Sequence, residues 1–158
     1  MNIEDTDPPE YHLTTLNMQI REMMNAVLRP HRLKLVEWRL LQCLSDQGAL
    51  SVCDLASLAV IERTATSRLV DRLVEKGFVA KEQMPDDRRF SQVSLCEAGL
   101  EILKACTADV DAARSQLFGG LNQTEISSFL NTLKKLQHNA VGVLLERGRM
   151  PRPVHRSA

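Results

Sequence analysis

The chain has 158 residues, of which 44% are hydrophobic, 25% charged and only 4% aromatic. This composition indicates a globular protein of one domain, or of a small domain with extensions. No apolar run approaches the ~18 residues of a membrane span, and the acidic start, MNIEDTDPPE, lacks the apolar core of a signal peptide. We therefore expect a cytoplasmic protein without a membrane partner.

The formal net charge is zero, because 20 basic side chains balance 20 acidic ones. Nucleic-acid-binding domains are often basic overall, so this balance counts against such a partner. The charges are unevenly distributed, however: the first ten residues are acidic, whereas the tail, ERGRMPRPVHRSA, is rich in arginine. A locally basic surface therefore remains compatible with the neutral total.

The titratable residues show no pattern typical of catalysis or metal binding. None of the four cysteines forms a C-x-x-C pair, and the four histidines are scattered rather than clustered as metal ligands usually are. The chain has no Ser-His-Asp arrangement, paired-carboxylate motif or Gly-rich phosphate loop. We expect no metal, no cofactor and no catalytic residue, and hence a protein that is not an enzyme.

Helical periodicity of the apolar residues predicts a first helix from about Glu10 to Leu28, which ends before Pro30. A second helix, about Val36–Asp46, is stopped by Gly48. Its main apolar stripe is Val36, Leu40 and Leu44, and Leu35 and Trp38 fall on another side.

The next two predicted helices are short and lie close together. Ser51, with Asp54 three residues later, is a typical N-cap for a helix over Val52–Leu58. After a brief turn, ERTATSRLVDRLVEKG predicts a helix over Glu62–Lys76 that Gly77 ends. Two short helices joined by such a turn are typical of a helix-turn-helix.

The strand-like runs FVAKEQM and RFSQVSLC flank the turn signal Pro85-Asp86-Asp87 and predict a hairpin, which makes the motif a winged one. A long helix follows over about Glu97–Phe118, broken by two glycines. Asn122 and Glu125 then form the capping box of a last helix.

Two polar surfaces carry the functional hypothesis. The exposed face of the Glu62–Lys76 helix offers donors suited to bases and phosphates: Arg63, Thr64, Ser67 and Arg68. At the hairpin tip, Arg88 and Arg89 are suited to a minor groove, and Asp87 to hold a guanidinium. Alone, each is more often a solvated helix face or a plain turn. The two surfaces, one after the other in a single motif, are a more specific signal of DNA binding than either surface alone.

Residues 33–103 closely resemble the MarR family of winged-helix transcriptional regulators, above all in SRLVDRLVEKGFV, DDRR and SLCEAG; the last is similar to the family's Ser-Leu-Thr-x-x-Gly. The resemblance implies a homodimer with interlocked terminal helices. It also implies binding to pseudo-palindromic double-stranded DNA, mostly as a repressor, and release by a small molecule, often a phenolic or aromatic acid. In this family Glu62–Arg68 would open the recognition helix and Arg89 would enter the minor groove, with Arg88 beside it.

We therefore expect a mainly α (α+β) fold. Residues 35–97 would form the winged helix-turn-helix DNA-binding domain, residues 10–34 and 98–147 a helical dimerisation domain, and residues 1–9 and 148–158 flexible tails. The dimer also follows from the outer helices, which carry more apolar surface than a winged helix of ~60 residues can cover, so a symmetric partner is needed: Phe118, Leu121, Ile126, Phe129, Leu133, Leu136, Val141 and Leu144.

Three positions depart from the family pattern. Val60 stands where glycine is frequent, Ala65-Thr66 where Thr-Val is usual, and Cys96 where a threonine normally caps the next helix. The second departure removes a hydroxyl from the side that would face the DNA groove. The third removes a cap worth ~1 kcal/mol unless Ser94 replaces it.

The sequence says least about the small molecule that would act as the effector. Trp38 and Leu35 would line a cleft with His12 and Arg21, and Arg21 would pair with a carboxylate; a packed Trp38 and a solvated Arg21 are the plainer alternative. Cys96 is the candidate for redox sensing, because a helix N-terminus lowers a thiol pKa. The alternatives to a ligand-released repressor are therefore a thiol-based redox-responsive repressor and a winged-helix module that binds another protein.

Overall fold

A computed structural model describes residues 7–84 and 91–148, which fall into two compact units, one up to Ala113 and one from Arg114. The helices are α1 (Pro9–Leu28), α2 (Leu35–Gln47), α3 (Val52–Ala59), α4 (Arg63–Glu75), α5 (Glu97–Leu117) and α6 (Gln123–Glu146). The strands are β1 (Leu50–Ser51), β2 (Val79–Gln83) and β3 (Ser91–Leu95), and a 3-10 turn, Arg29–His31, follows α1. The predicted division into domains and tails stays a prediction.

The predicted helices are all present, and the predicted end signals explain where they begin and stop. Ser51 accepts the Asp54 N–H at 3.1 Å, and Asn122 and Glu125 form a reciprocal capping box at the start of α6. After α4, Gly77 takes a left-handed conformation, with φ of 73°. The Phe78 and Gly77 amides then donate back to the Leu73 and Val74 carbonyls, as in a Schellman motif.

The sheet has three antiparallel strands in the order β1-β3-β2. The predicted hairpin is confirmed, with Val79 opposite Leu95 and Gln83 opposite Ser91. The sequence pattern missed β1, which has only two residues and is held by pairing with Val93 and Gln92 of β3. With α3 and α4 joined by a three-residue turn before the hairpin, the mainly α winged helix-turn-helix fold is confirmed.

The buried face of α2 differs from the predicted stripe. Leu40 and Leu44 are buried as expected, but Val36 is only half-buried and Glu37 is 3% exposed. An ionisable side chain is rarely buried without a partner, so Glu37 signals a specific contact. Leu35 and Trp38 are half-buried and pack against the core.

The turn between α3 and α4 begins with a strained residue. Val60 has φ of 58° and a side chain that is 89% exposed. The left-handed conformation is costly for a β-branched residue, which explains why glycine is favourable at this position. The turn nevertheless closes, because the Ile61 N–H donates to the Ala56 carbonyl at 3.0 Å.

Gly99 allows α5 to start against the end of α4. A Cβ at this position would overlap the Phe78 carbonyl oxygen and lie 2.7 Å from Leu95 Cδ1. The same carbonyl accepts the Cys96 N–H at 3.0 Å. The glycine of SLCEAG is therefore required by a close backbone approach.

We expect Gly99→Ala to lower the free energy of unfolding by about 1–3 kcal/mol, since backbone must shift to admit the methyl group. The better helix propensity of alanine offsets only part of this loss. Glu101→Ala, at an exposed position of the same helix, is the control and should change stability by less than about 0.5 kcal/mol. A Gly99→Ala protein as stable as the parent in urea unfolding would contradict the close approach.

Candidate nucleic-acid interface

The N-terminal half of α4 presents a polar surface. Arg63, Thr64 and Arg68 are exposed, and Ser67 is half-buried. The opposite face carries Leu69, Val70 and Leu73, which anchor the helix in the core. Thr66 is fully buried and donates to the Glu62 carbonyl at 3.0 Å, so its hydroxyl serves the helix start rather than the surface.

Glu62 caps this helix. Its carboxylate accepts the Ala65 N–H at 2.9 Å, and bonds from the Thr64 and Ala65 amides hold its pKa below the ordinary value. The carboxylate therefore stabilises the start of α4 at neutral pH. Because the pKa is lowered in the folded state, that contribution is lost as the pH falls through the lowered pKa.

A small notch of about 140 Å³ adjoins the same end of α4. It is lined by Arg63 and Ser67 of α4, by the first turn of α3 and by Lys81 of β2. Helix N-termini and cations both favour phosphate oxygens. The notch thus joins two of the predicted contact residues to Lys81, for which the sequence holds no motif signal.

An ion pair holds the sheet beside α4. Lys81 Nζ lies 2.9 Å from the Asp71 carboxylate, and both side chains are partly exposed. An exposed pair of this kind contributes up to about 1 kcal/mol, but it neutralises the acid on the exposed side of α4. The predicted wing residues Asp87, Arg88 and Arg89 lie outside the described residues.

The C-terminal end of α4 is fastened to α2 by the buried Glu37. Lys76 Nζ contacts the two Glu37 carboxylate oxygens at 2.9 and 3.0 Å and also donates to the Arg32 carbonyl at 3.0 Å. Glu37 accepts the Lys34 N–H at 3.0 Å as well. This carboxylate therefore joins the start of α2, the turn before it and the C-terminal end of α4.

A wide cleft of about 640 Å³ opens at the C-terminal end of α4, which we call the foot of the helix, and we call this cleft the foot cleft. Asn25, Leu33 and Glu37 form part of its wall. The other lining side chains are all cationic: Arg21, Arg29, Arg32, Lys34, Arg72 and Lys76. No spacing signal in the sequence joins these cations, because they come from α1, the turn before α2, and α4.

Of the four residues predicted for a ligand cleft, only Arg21 lines the foot cleft. His12 is exposed on α1, whereas Leu35 and Trp38 belong to the packing around α2. The structure thus does not gather the four in one described cavity, and their joint role stays a prediction.

The four cysteines fall into two classes. Cys43 and Cys106 are buried, and burial raises the pKa of each thiol; the nearby Asp109 adds to the effect at Cys106. Cys53 and Cys96 are half-buried. Cys53 lines the notch, and the Cys96 carbonyl accepts the first helical N–H of α5, from Leu100, at 3.0 Å.

Comparison with known proteins agrees with this geometry. The model of the MarR family matches residues 33–90, from the turn before α2 to the residue before β3. The match covers 58 of the 158 residues, and over this part the chain is similar to MarR-family regulators. The HTH-type transcriptional repressor IacR of Pseudomonas putida is 25% identical over 133 residues, which cover 84% of this chain and 80% of that protein.

Solved structures share the fold. BpsR of Bordetella bronchiseptica, whose DNA binding is regulated by 6-hydroxynicotinic acid, is 24% identical with a TM-score of 0.74, over 82% of this chain and 99% of that one. A mutant of E. coli MarR in complex with operator DNA is 23% identical with a TM-score of 0.75, over 80% and 91% of the two chains. These relatives are regulators and not enzymes.

The described residues contain neither a membrane-spanning helix nor a group of metal ligands. Between residues 7 and 84 and between 91 and 148, no helix is both long and apolar enough to cross a bilayer. In the same ranges, no three His, Cys, Asp or Glu side chains gather closely enough to hold a metal ion.

We expect the thiols to react in two classes. With an aromatic disulfide reagent near pH 8, Cys53 and Cys96 should react first, and Cys43 and Cys106 more than about tenfold slower, because burial keeps the latter protonated. All four should react at once in denaturant. The double variant Cys53→Ser/Cys96→Ser is the control and should retain only the slow phase; a fast phase in this variant would contradict the assignment.

Proposed function

We propose that this protein is a homodimeric repressor that binds a pseudo-palindromic operator in double-stranded DNA and releases it when a small molecule binds. The observation that carries the proposal is the α4 surface: Arg63, Thr64 and Arg68 are exposed beside a cationic notch, while the other face of the helix is packed in the core. Arginine is suited to guanine edges in a major groove, and hydroxyls to bases or phosphates.

The wing is proposed to complete this interface. In the family the wing arginine enters the minor groove, and the position corresponds to Arg89, with Asp87 as its brace and Arg88 beside it. The narrow minor groove attracts a guanidinium because its negative potential is concentrated there. Operator affinity that is unchanged in Arg89→Ala would refute this assignment.

The dimer is supported by α6, in which no residue is buried. Its exposed side chains include Phe129, Leu136, Val141 and Leu144, which are 39–45% exposed. Contiguous apolar surface of this kind is rare on a monomer, and a two-fold partner would cover it and set two copies of α4 about 34 Å apart. A single-chain mass at micromolar concentration in sedimentation equilibrium would refute the dimer.

Release by a small molecule is supported by BpsR, in which 6-hydroxynicotinic acid regulates DNA binding. An aromatic acid is accordingly one effector class to test, with His12, Arg21, Leu35 and Trp38 as the proposed contacts. A ligand that prefers the folded protein raises its Tm. If no aromatic acid in a thermal-shift screen raises the Tm, this effector class is excluded.

Two other functions make different predictions. A redox-responsive repressor would lose operator binding in peroxide, and Cys96→Ser would abolish the response. A winged-helix module that binds a protein would show no steep salt dependence with DNA, whereas contacts to phosphates release counterions and make affinity fall with salt. The zero net charge keeps the second alternative in view.

Arg68→Ala is expected to reduce the preference for the operator over variants altered at one base position by about 1–3 kcal/mol. Arg114→Ala removes the same charge from an exposed position of α5 and should change no affinity by more than about twofold. Fluorescence anisotropy with a panel of operator variants measures both. An equal loss on all variants would make Arg68 a phosphate contact, and no loss would refute the α4 interface.

A further inference from the structure

The foot cleft carries a large uncompensated positive charge. Six cationic side chains line it against one carboxylate, Glu37, which Lys76 and the Lys34 amide already occupy. In the part of the chain that the structure describes, the remaining five cations, Arg21, Arg29, Arg32, Lys34 and Arg72, form no ion pair. Like charges gathered in a concave site repel each other and attract a multivalent anion.

The size of the cleft indicates a small molecule rather than a single ion. Its volume of about 640 Å³ falls within the range of roughly 300–1,000 Å³ that is typical of ligand pockets. It is open at the mouth and lies within one compact unit, so that every lining residue belongs to residues 21–76. A metabolite can therefore enter without rearrangement of the fold.

The chemistry of the walls favours phosphate over an aromatic acid. Leu33, which is 3% exposed, is the apolar side chain of the wall, and no aromatic residue lines the cleft in the described ranges. Guanidinium groups match the oxygens of phosphate in a bidentate manner. Asn25 adds a further donor, because its Oδ1 is already used by the Leu35 N–H at 2.8 Å and its NH2 group remains for a ligand.

We propose that the foot cleft binds a small molecule that carries at least two phosphate groups. One phosphate has up to two negative charges, so two groups match the five uncompensated cations better than the single charge of an aromatic acid. The arginines of α1 and of the turn before α2 hold the anion from one side, and Arg72 of α4 from the other.

Binding at this site is coupled to α4. Lys76 directly follows the helix and is shared between Glu37 and the cleft, and Arg72 lies in its last turn. A polyanion competes with Glu37 for Lys76 and thereby shifts the foot of α4. This coupling, unlike the binding itself, rests on the proposed operator binding; an anion that changes DNA affinity must have its own affinity changed by DNA to the same extent.

The test is isothermal titration of the full-length protein, without DNA, with inorganic pyrophosphate at constant ionic strength. Arg21→Gln/Arg29→Gln removes two exposed cations of the cleft, and Lys104→Gln/Arg114→Gln removes two exposed cations from α5. We expect saturable one-site binding whose Kd rises at least about tenfold in the first pair, since charge-assisted hydrogen bonds are lost, and less than about twofold in the second. Circular dichroism establishes that both pairs are folded.

Three outcomes would overturn the proposal. One is that neither pyrophosphate nor tripolyphosphate binds, and another is that both double variants lose affinity alike, as in diffuse attraction. The third is that DNA itself binds in the foot cleft. In that case the Arg21→Gln/Arg29→Gln pair would weaken binding to random duplex DNA as strongly as it weakens binding to pyrophosphate. Benzoate and monophosphate serve as weaker-binding controls, and equal affinity for benzoate would also refute a phosphate site.

Because no operator is present in the titration, this result and the operator result are independent. Pyrophosphate binding without operator binding would support the phosphate site and refute the proposed repressor function. Operator binding without pyrophosphate binding would refute only the proposed phosphate site in the foot cleft. When both hold, pyrophosphate at saturating concentration should change operator affinity in the parent protein and not in Arg21→Gln/Arg29→Gln.

Discussion

The contact between Lys76 and Glu37 is the constraint on which the geometry of the winged helix-turn-helix depends. A carboxylate that is 3% exposed is unfavourable unless its oxygens are occupied, and here an ammonium group and a backbone amide occupy them. Since Glu37 lies in the first turn of α2 and Lys76 caps α4, the pair holds the foot of α4 in place. The apolar face of α4 fixes its rotation, and together the two leave exposed the N-terminal half that we propose contacts DNA.

The two ends of α4 thus have different chemistry. The N-terminal end combines Arg63 and Ser67 with the notch, where a helix terminus and cations suit the phosphates of a duplex. The C-terminal end meets the foot cleft, where five cations that have no ion pair among the described residues suit a small polyanion. A helix of 13 residues connects the two. A displacement of the C-terminal end of α4 is therefore transmitted along the helix to the surface that we propose contacts DNA.

Much of the fold could be predicted because its signals are local. Ser51 with Asp54, Lys76 with Gly77, and Asn122 with Glu125 each act within one helical turn, and the structure confirms all three. The strand β1 could not be predicted, since it exists only by pairing with β3 more than forty residues later. The foot cleft was missed for the same reason: its cations range from Arg21 to Lys76, and only folding brings them together. Glu37 was the available signal, as an acid between apolar positions of α2.

The most direct test of this account is a double-mutant cycle on Glu37→Gln and Lys76→Met, measured by denaturant unfolding of the full-length protein. Lys76→Met should cost more than Glu37→Gln, because it leaves a buried carboxylate without its cation, whereas the lysine side chain is 34% exposed and can reach water. The double variant should regain part of the loss, with a coupling of about 1–3 kcal/mol. Effects that add to within about 0.5 kcal/mol, with an unchanged circular dichroism spectrum, would show that the pair does not hold α4 and would contradict the account.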